Sequence, residues 1–154
     1  MTDNFISPKE YHNTLVTLIR AETTLGQYPV RLGPQVAFNS GAKNAIICVY
    51  LMGMDEEVPF SGNNSKNVYN TGILIAVKDN LDADDAEELR YDLLEAMQDL
   101  IAQNRSLTCG TKNTLITNID LGIVELDDKT QQRYRYAELT INWMTLRSHT
   151  PTPA

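Results

Sequence analysis

The stretch YNTGILIAVKDNLDADDAEELRYDLLEAMQDLI, residues 69–101, decides the fold, because its hydrophobic period changes once along its length. From Val68 to about Lys78 the residues read as a strand. Ile73, Ile75 and Val77 fall on one face and Leu74 and Ala76 on the other, so both faces are expected to be covered. Beyond it the period becomes helical: Ala86, Leu89, Leu93, Met97, Leu100 and Ile101 line one side, with Leu94 widening the stripe. Asp82 or Asp84 is suited to cap this helix, and Asp85, Glu87 and Glu88 place negative charge at the positive end of its dipole. Such a stripe needs a sheet or a neighbouring element to cover it. The helix gives way near Asn104, and Thr108, Gly110 and Thr111 read as connection.

Upstream, AIICVYLM (45–52) is a short apolar run rich in β-branched residues, as expected of an inner strand. It leads into GMDEEVPFSGNNSKN (53–67), whose acidic residues, proline, glycines and asparagines predict a long exposed loop with a binding role. Asp55, Glu56, Glu57, Phe60, Asn63 and Asn64 are its candidate contact residues. Near the start, Ser7, Pro8 and Glu10 form a capping-box helix entry. Tyr11, Leu15, Leu18 and Ile19 supply the stripe, which fades at Glu22 before Gly26 and Pro29. Tyr28 to Lys43, with two prolines and two glycines, reads as an irregular connection.

Downstream, LITNIDLGIVEL (115–126) is strand-forming although Asn118, Asp120 and Gly122 weaken its period, with a bulge expected at Gly122. After the turn-like DDKTQQ (127–132), RYRYAELTINWMTLR (133–147) has the clearest alternation in the chain. Ala137, Leu139, Ile141 and Trp143 face one way and Glu138, Thr140 and Asn142 the other. The expected architecture is α+β, in the order helix-strand-strand-helix-strand-strand. It has a mostly antiparallel four-stranded sheet with both helices packed on one face. Residues 1–147 form a single domain in this reading and 148–154 a flexible tail.

At 154 residues the chain has the usual size of one domain and can bury a core without disulfides. Cys48 and Cys109 form no CxxC pair and read as buried thiols in a reducing compartment. The opening residues lack the basic and apolar run of a secretory signal, and no apolar stretch approaches bilayer length. A net charge of -7, from 20 acidic and 13 basic residues, opposes general attraction to phosphate backbones. It suits the wall of a channel through which nucleic acid must slide.

No catalytic constellation emerges. His12 on the first helix reads as an exposed structural residue and His149 lies in the tail; Cys48 sits in an apolar strand, and Cys109 stands beside Gly110. Asp82, Asp84 and Asp85 lack the oxygen-ligand spacing of an EF-hand, and Asp120, Asp127 and Asp128 fit a solvated strand end. Gly62, Asn63 and Asn64 form a turn signal, not a phosphate loop. No cofactor or metal is expected. Tyr134 and Tyr136 alternate with Arg133 and Arg135, a pattern that can stack on bases, but the acidity of the chain favours a protein-facing strand. Arg133, Tyr134, Arg135 and Tyr136 are therefore candidate subunit-interface residues, the arginines meeting the acidic second helix or Asp55, Glu56 and Glu57 of another copy. Trp143, of opposite parity to the tyrosines, joins that contact only where a bulge or the strand end exposes it; otherwise it packs in the core.

The initial amphipathic helix, the YNTGILIAVKDN strand followed by the DADDAEELRYDLLEAMQDLI helix, and the terminal RYRYAELTINWMTL strand resemble the tail terminator proteins of long-tailed bacteriophages, over nearly the full chain. The resemblance implies a structural virion protein at the tail-neck junction, assembled from host cytoplasm into a homo-oligomer, a hexameric ring. One ring face would bind the last ring of tail tube protein and end polymerisation. The other would offer a docking surface to the head-completion or connector protein, with DNA passing through the lumen without specific recognition. Head-completion and other neck ring proteins share this appearance, and a cellular protein-interaction domain is the non-phage alternative.

Overall fold

The structure, a computed structural model, describes residues 6–34, 44–61, 64–78, 83–105, 112–127 and 132–148. Its elements run α1 (Pro8–Ala21), a 3-10 turn (Leu25–Gln27), β1 (Val30–Leu32), β2 (Ala45–Ser61), β3 (Asn64–Lys78), α2 (Ala83–Gln103), β4 (Lys112–Asp127) and β5 (Gln132–Ser148). The strands form one five-stranded sheet in the order β1-β2-β3-β5-β4. β1 is parallel to β2, and the other neighbouring pairs are antiparallel. β3 and β4 therefore run the same way on either side of β5, joined through α2.

This corrects the expected four-stranded antiparallel sheet. The added strand, β1, lies inside the stretch read as an irregular connection. Its three residues pair with Ile47, Cys48 and Val49, because the parallel ladder satisfies backbone groups that the local prolines and glycines would otherwise leave in turns. Arg20 at the end of α1 also donates to the Val30 carbonyl at 2.8 Å, tying the new edge strand to the helix.

The second correction concerns 53–67. Gly53–Ser61 and Asn64–Asn67 are strand, not an extended loop. The β2–β3 ladder absorbs the unfavourable residues through register shifts between Leu51 and Gly53, Met54 and Glu56, and Pro59 and Ser61. β5 backs the hairpin on its other side up to the pair Asn64 with Ser148. Asn63 lies outside the described residues, and so do the side chains of Asp55, Glu56, Glu57, Phe60 and Asn64. Outside them too are Asp82, Cys109, His149 and the rest of the tail.

Both helices contribute to one core on one face of the sheet. Tyr11, Leu15, Val16 and Ile19 of α1 and Ala86, Leu93, Met97, Leu100 and Ile101 of α2 meet Ile47, Val49, Ile73, Ile75, Val77, Ala137, Leu139, Ile141 and Trp143. Each large apolar side chain fully buried there contributes about 1.5–3 kcal/mol. α1 starts as its sequence requires: Ser7 Oγ accepts from the Glu10 amide at 3.1 Å, with Pro8 in the first turn. It stops at Glu22, whose carboxylate accepts from the Leu25 amide at 2.6 Å. Gly26 then passes so close to the Arg20 carbonyl that a side chain there would collide with backbone.

The opposite face carries no helix among the described residues. A smaller cluster of Ile46, Cys48, Leu74 and Ala76 is packed by Tyr50, Tyr134 and Tyr136. Two glycines make room for these rings. Tyr50 lies across Gly72, its cross-strand partner, and its hydroxyl reaches Glu138 one strand further on. Tyr136 lies across Gly122, where an added Cβ would stand 2.7 Å from the ring. Gly122 therefore marks no bulge. It pairs in register with Tyr136, and the irregularities of β4 fall between Lys112 and Leu115, Ile116 and Asn118, and Glu125 and Asp127.

Candidate functional site: the bare margins of the sheet

Among the described residues, the exposed large apolar side chains gather mainly on the outer strands. Leu32, Leu51, Met52 and Met54 lie on β1 and β2, Leu115, Leu121 and Ile123 on β4, and Tyr91 on α2, each between 43% and 60% exposed. The register places most of the strand residues on the helix-bearing face. Leu32 pairs with Val49, Leu51 with Thr71 and Met54 with Tyr69, while Leu121 pairs with Ala137 and Ile123 with Arg135. Paired residues project to the same side of a sheet. The helices thus cover the middle of this face and leave an apolar margin at each of its two edges.

The backbone at these edges is open as well. β2 pairs with β1 only at Ile47–Val49, so from Tyr50 onward its outer edge has no strand beside it among the described residues. β4 is the outermost strand on the other side and holds regular register from Asn118 to Glu125. A long open strand with apolar side chains is a ready surface for another chain. The two edges differ in kind. Register shifts interrupt the β2 edge, whereas β4 keeps unbroken register from Asn118 to Glu125.

Between the β4 margin and the core stands an ionic cluster that fixes α2. Glu87 binds Arg90 and also Arg135, the latter at 2.6 Å. Arg90 Nη1 donates to the carbonyls of Gly122 and Tyr136, both at 3.3 Å, pinning α2 across β4 and β5. Desolvation pushes the Glu87 carboxyl upward, but hydrogen bonds from Arg90, Arg135 and Tyr91 outweigh it and hold the group below the ordinary carboxylate range.

The structure therefore divides the candidate interface residues. Arg135 meets the acidic second helix of its own chain, so its charge is committed internally. Trp143 is wholly buried, stacked on Tyr11 at 4.0 Å and 6° and on Tyr69 at 4.7 Å, which takes it out of any surface contact. Tyr134 and Tyr136 are half-buried on the helix-free face with ring centroids 6.5 Å apart, and burial raises the Tyr134 phenol. Arg133 is exposed at the start of β5, beside Glu125 in the ladder. Tyr50, bonded to Glu138, is likewise raised, first by burial and then by that carboxylate.

Two further expectations resolve differently from each other. Cys48 is fully buried in the smaller cluster, where desolvation raises its thiol and keeps it protonated. His12 is not exposed. It is 8% accessible, with Nε2 2.8 Å from Thr71 Oγ1, because position 12 lies on the same stripe as Leu15, Val16 and Ile19.

A groove of about 450 Å³ between the end of α1 and α2 is lined by Glu22, Asp92, Glu95 and Asp99 above Ala96 and Leu100. Glu22 is engaged with the Leu25 amide, and among the described residues no group of three or more His, Cys, Asp or Glu is arranged to hold a metal ion. No helix among the described residues is long and apolar enough to cross a membrane. No protein-family model matches the chain, and a search of curated proteins finds no match.

Proposed function

We propose that this chain is a structural assembly protein whose copies join side by side through the two bare margins into a closed ring, and that the ring caps the head-proximal end of a phage tail tube. The observation that carries the lateral contact is the gathering of exposed apolar side chains along two opposite edges among the described residues, with Leu32, Leu51 and Met54 on one and Leu121 and Ile123 on the other, all five on the helix-bearing face. Two different surfaces on opposite sides make a heterologous contact, which closes into a ring where the rotation permits. Burying those margins supplies the driving force, and the open β4 backbone adds orientation.

The placement on a tail tube rests on the resemblance to terminator proteins. A closed ring is saturated sideways, so its two axial faces are free to differ. One face binds the last tube ring, the other lacks what would recruit a further tube layer, and growth stops there. The β2–β3 hairpin is the candidate axial contact, with Asp55, Glu56 and Glu57 on its outer strand. The excess of acidic residues suits a lumen that lets DNA pass without holding it.

Light scattering on the purified protein, followed by electron microscopy of isolated tail tubes with the protein added, tests both parts. The proposal expects a ring-sized species that occupies one tube end and halts addition of tube subunits. A ring that ignores tubes and binds head connectors instead makes it a head-completion protein. A chain that stays monomeric at high concentration, alone and with tubes, and leaves tube growth unchanged refutes the proposal.

A further inference from the structure

His12, Thr71 and Trp143 form a buried chain of hydrogen bonds. The indole Nε1 of Trp143 can only donate, and it does so to Thr71 Oγ1 at 3.0 Å. The Thr71 hydroxyl, fully buried, has one proton of its own, and His12 Nε2 at 2.8 Å is the acceptor within reach. The arrangement that gives the Thr71 proton an acceptor puts a lone pair on His12 Nε2 and its proton on Nδ1. The chain joins three elements: α1 through His12, β3 through Thr71 and β5 through Trp143. It also sits beside the other contacts of this end of α1 with the sheet: the stack of Tyr11 on Trp143, the Tyr11 hydroxyl on Thr114 Oγ1 at 3.5 Å, and the Ile6 amide donating to Thr145 Oγ1 at 2.8 Å.

We propose that this chain is a proton-operated latch, which holds the N-terminal half of α1 on the sheet and releases it when Nε2 of His12 is protonated.

A proton on Nε2 turns the acceptor into a donor. Thr71 Oγ1 then faces two N–H groups, its own proton loses its acceptor, and an imidazolium is left in the core. Nothing among the described neighbours compensates that charge. The residues flanking Thr71 in the ladder are Leu51 on β2, Tyr69 and Ile73 on β3, and Ile141 on β5, none of them ionised at neutral pH. On α1 itself Tyr11 is the ring neighbour, while Lys9, one turn back, carries the same sign as the imidazolium and Glu10 projects to solvent. The carboxylates of α2 that approach α1, namely Asp92, Glu95 and Asp99, gather around Glu22. That is ten residues along α1 and roughly 15 Å away.

The titration agrees in sign. Burial lowers His12 from 6.5 to about 4, so the released state binds the extra proton over the interval between those values. The closed contact is at full strength above the upper value and weakens as the pH falls toward the lower one. From near pH 7 to near pH 5 the equilibrium for releasing α1 rises about 20-fold by this linkage.

Trp143 is the sole tryptophan of the chain and reports on the stack directly. The test is hydrogen exchange resolved by element, corrected for intrinsic rates, with Trp143 emission followed in parallel on the full chain near pH 7 and near pH 5. The latch predicts that α1 amides lose about 20-fold of protection while α2 amides keep theirs, with Trp143 emission shifting in step with α1 to the extent that the released fraction grows. In His12→Gln, whose amide oxygen keeps an acceptor without titrating, both responses disappear. Loss of protection in α1 and α2 together overturns the proposal from the wild-type protein alone. So does a wild-type α1 that keeps its protection near pH 5, or an unchanged acid response in a folded His12→Gln.

Discussion

Ile141 and Ile123 are the same kind of residue on the same face of the same sheet, yet one is fully buried and the other is 51% exposed. The difference lies in where the helices land. Ile141 on β5 lies beneath the aromatic end of α1, in the cluster that holds Tyr11, Trp143 and Tyr69. Ile123 on β4 lies outside α2, beyond the Glu87, Arg90 and Arg135 cluster that clamps the helix down. The centre of the face is thus covered by its own chain, and the margins are left exposed. Residue type alone does not separate a core position from an exposed one; cover does.

The sharpest break of this contrast is at the centre. Trp143→Ala removes a ring held between Tyr11 and Tyr69 and should cost about 3–5 kcal/mol in denaturant unfolding followed by circular dichroism. Gly72→Ala drives a methyl group into the Tyr50 ring on the helix-free face and should cost about 1–3 kcal/mol, visible as a lowered melting temperature. Gly122→Ala should cost less, because Tyr136 lies over an edge strand that has freedom to shift.

Arg135→Ala should cost less than about 1 kcal/mol near neutral pH, since Arg90 still holds Glu87. Its signature is the pH dependence. Glu87 is held below its ordinary 4.5, so its contribution is present above that value and is lost as the pH falls through the depressed one. Arg135→Ala should narrow that loss in an acid titration of stability. Substitutions confined to the margins, Leu121→Glu with Ile123→Glu, should change the stability of the isolated chain by only about 0.5 kcal/mol.

The sequence made the centre far more legible than the edges. α1, α2, β3 and β5 follow from unbroken hydrophobic periods and capping residues, which are local signals. β1 and the distal half of β2 depend on ladder partners far along the chain, and glycine, proline and acidic residues outvote a strand when those partners are unknown. Met52 and Asp55 sit at register shifts, which disguise the period-two pattern of β2. The roles of Gly72 and Gly122 require the register that brings Tyr50 and Tyr136 over them.

Two side-chain placements were readable after all. His12 shares the helical spacing of Leu15, Val16 and Ile19, so its burial was written in the stripe. Arg135 shares parity with Ala137 and Leu139 and had to point toward the helices. The margins had a weaker signal: Leu121 and Ile123 continue the alternation of Ile119 and so look like core, and only the position of α2 shows that the cover ends before reaching them.

The most direct measurement compares the molar mass of the wild-type chain with that of the Leu121→Glu, Ile123→Glu double variant, by light scattering across a range of protein concentrations. The account predicts a closed assembly of several copies for the wild type and a folded monomer for the variant. An assembly of equal size in both, or a wild type that remains monomeric throughout, contradicts it.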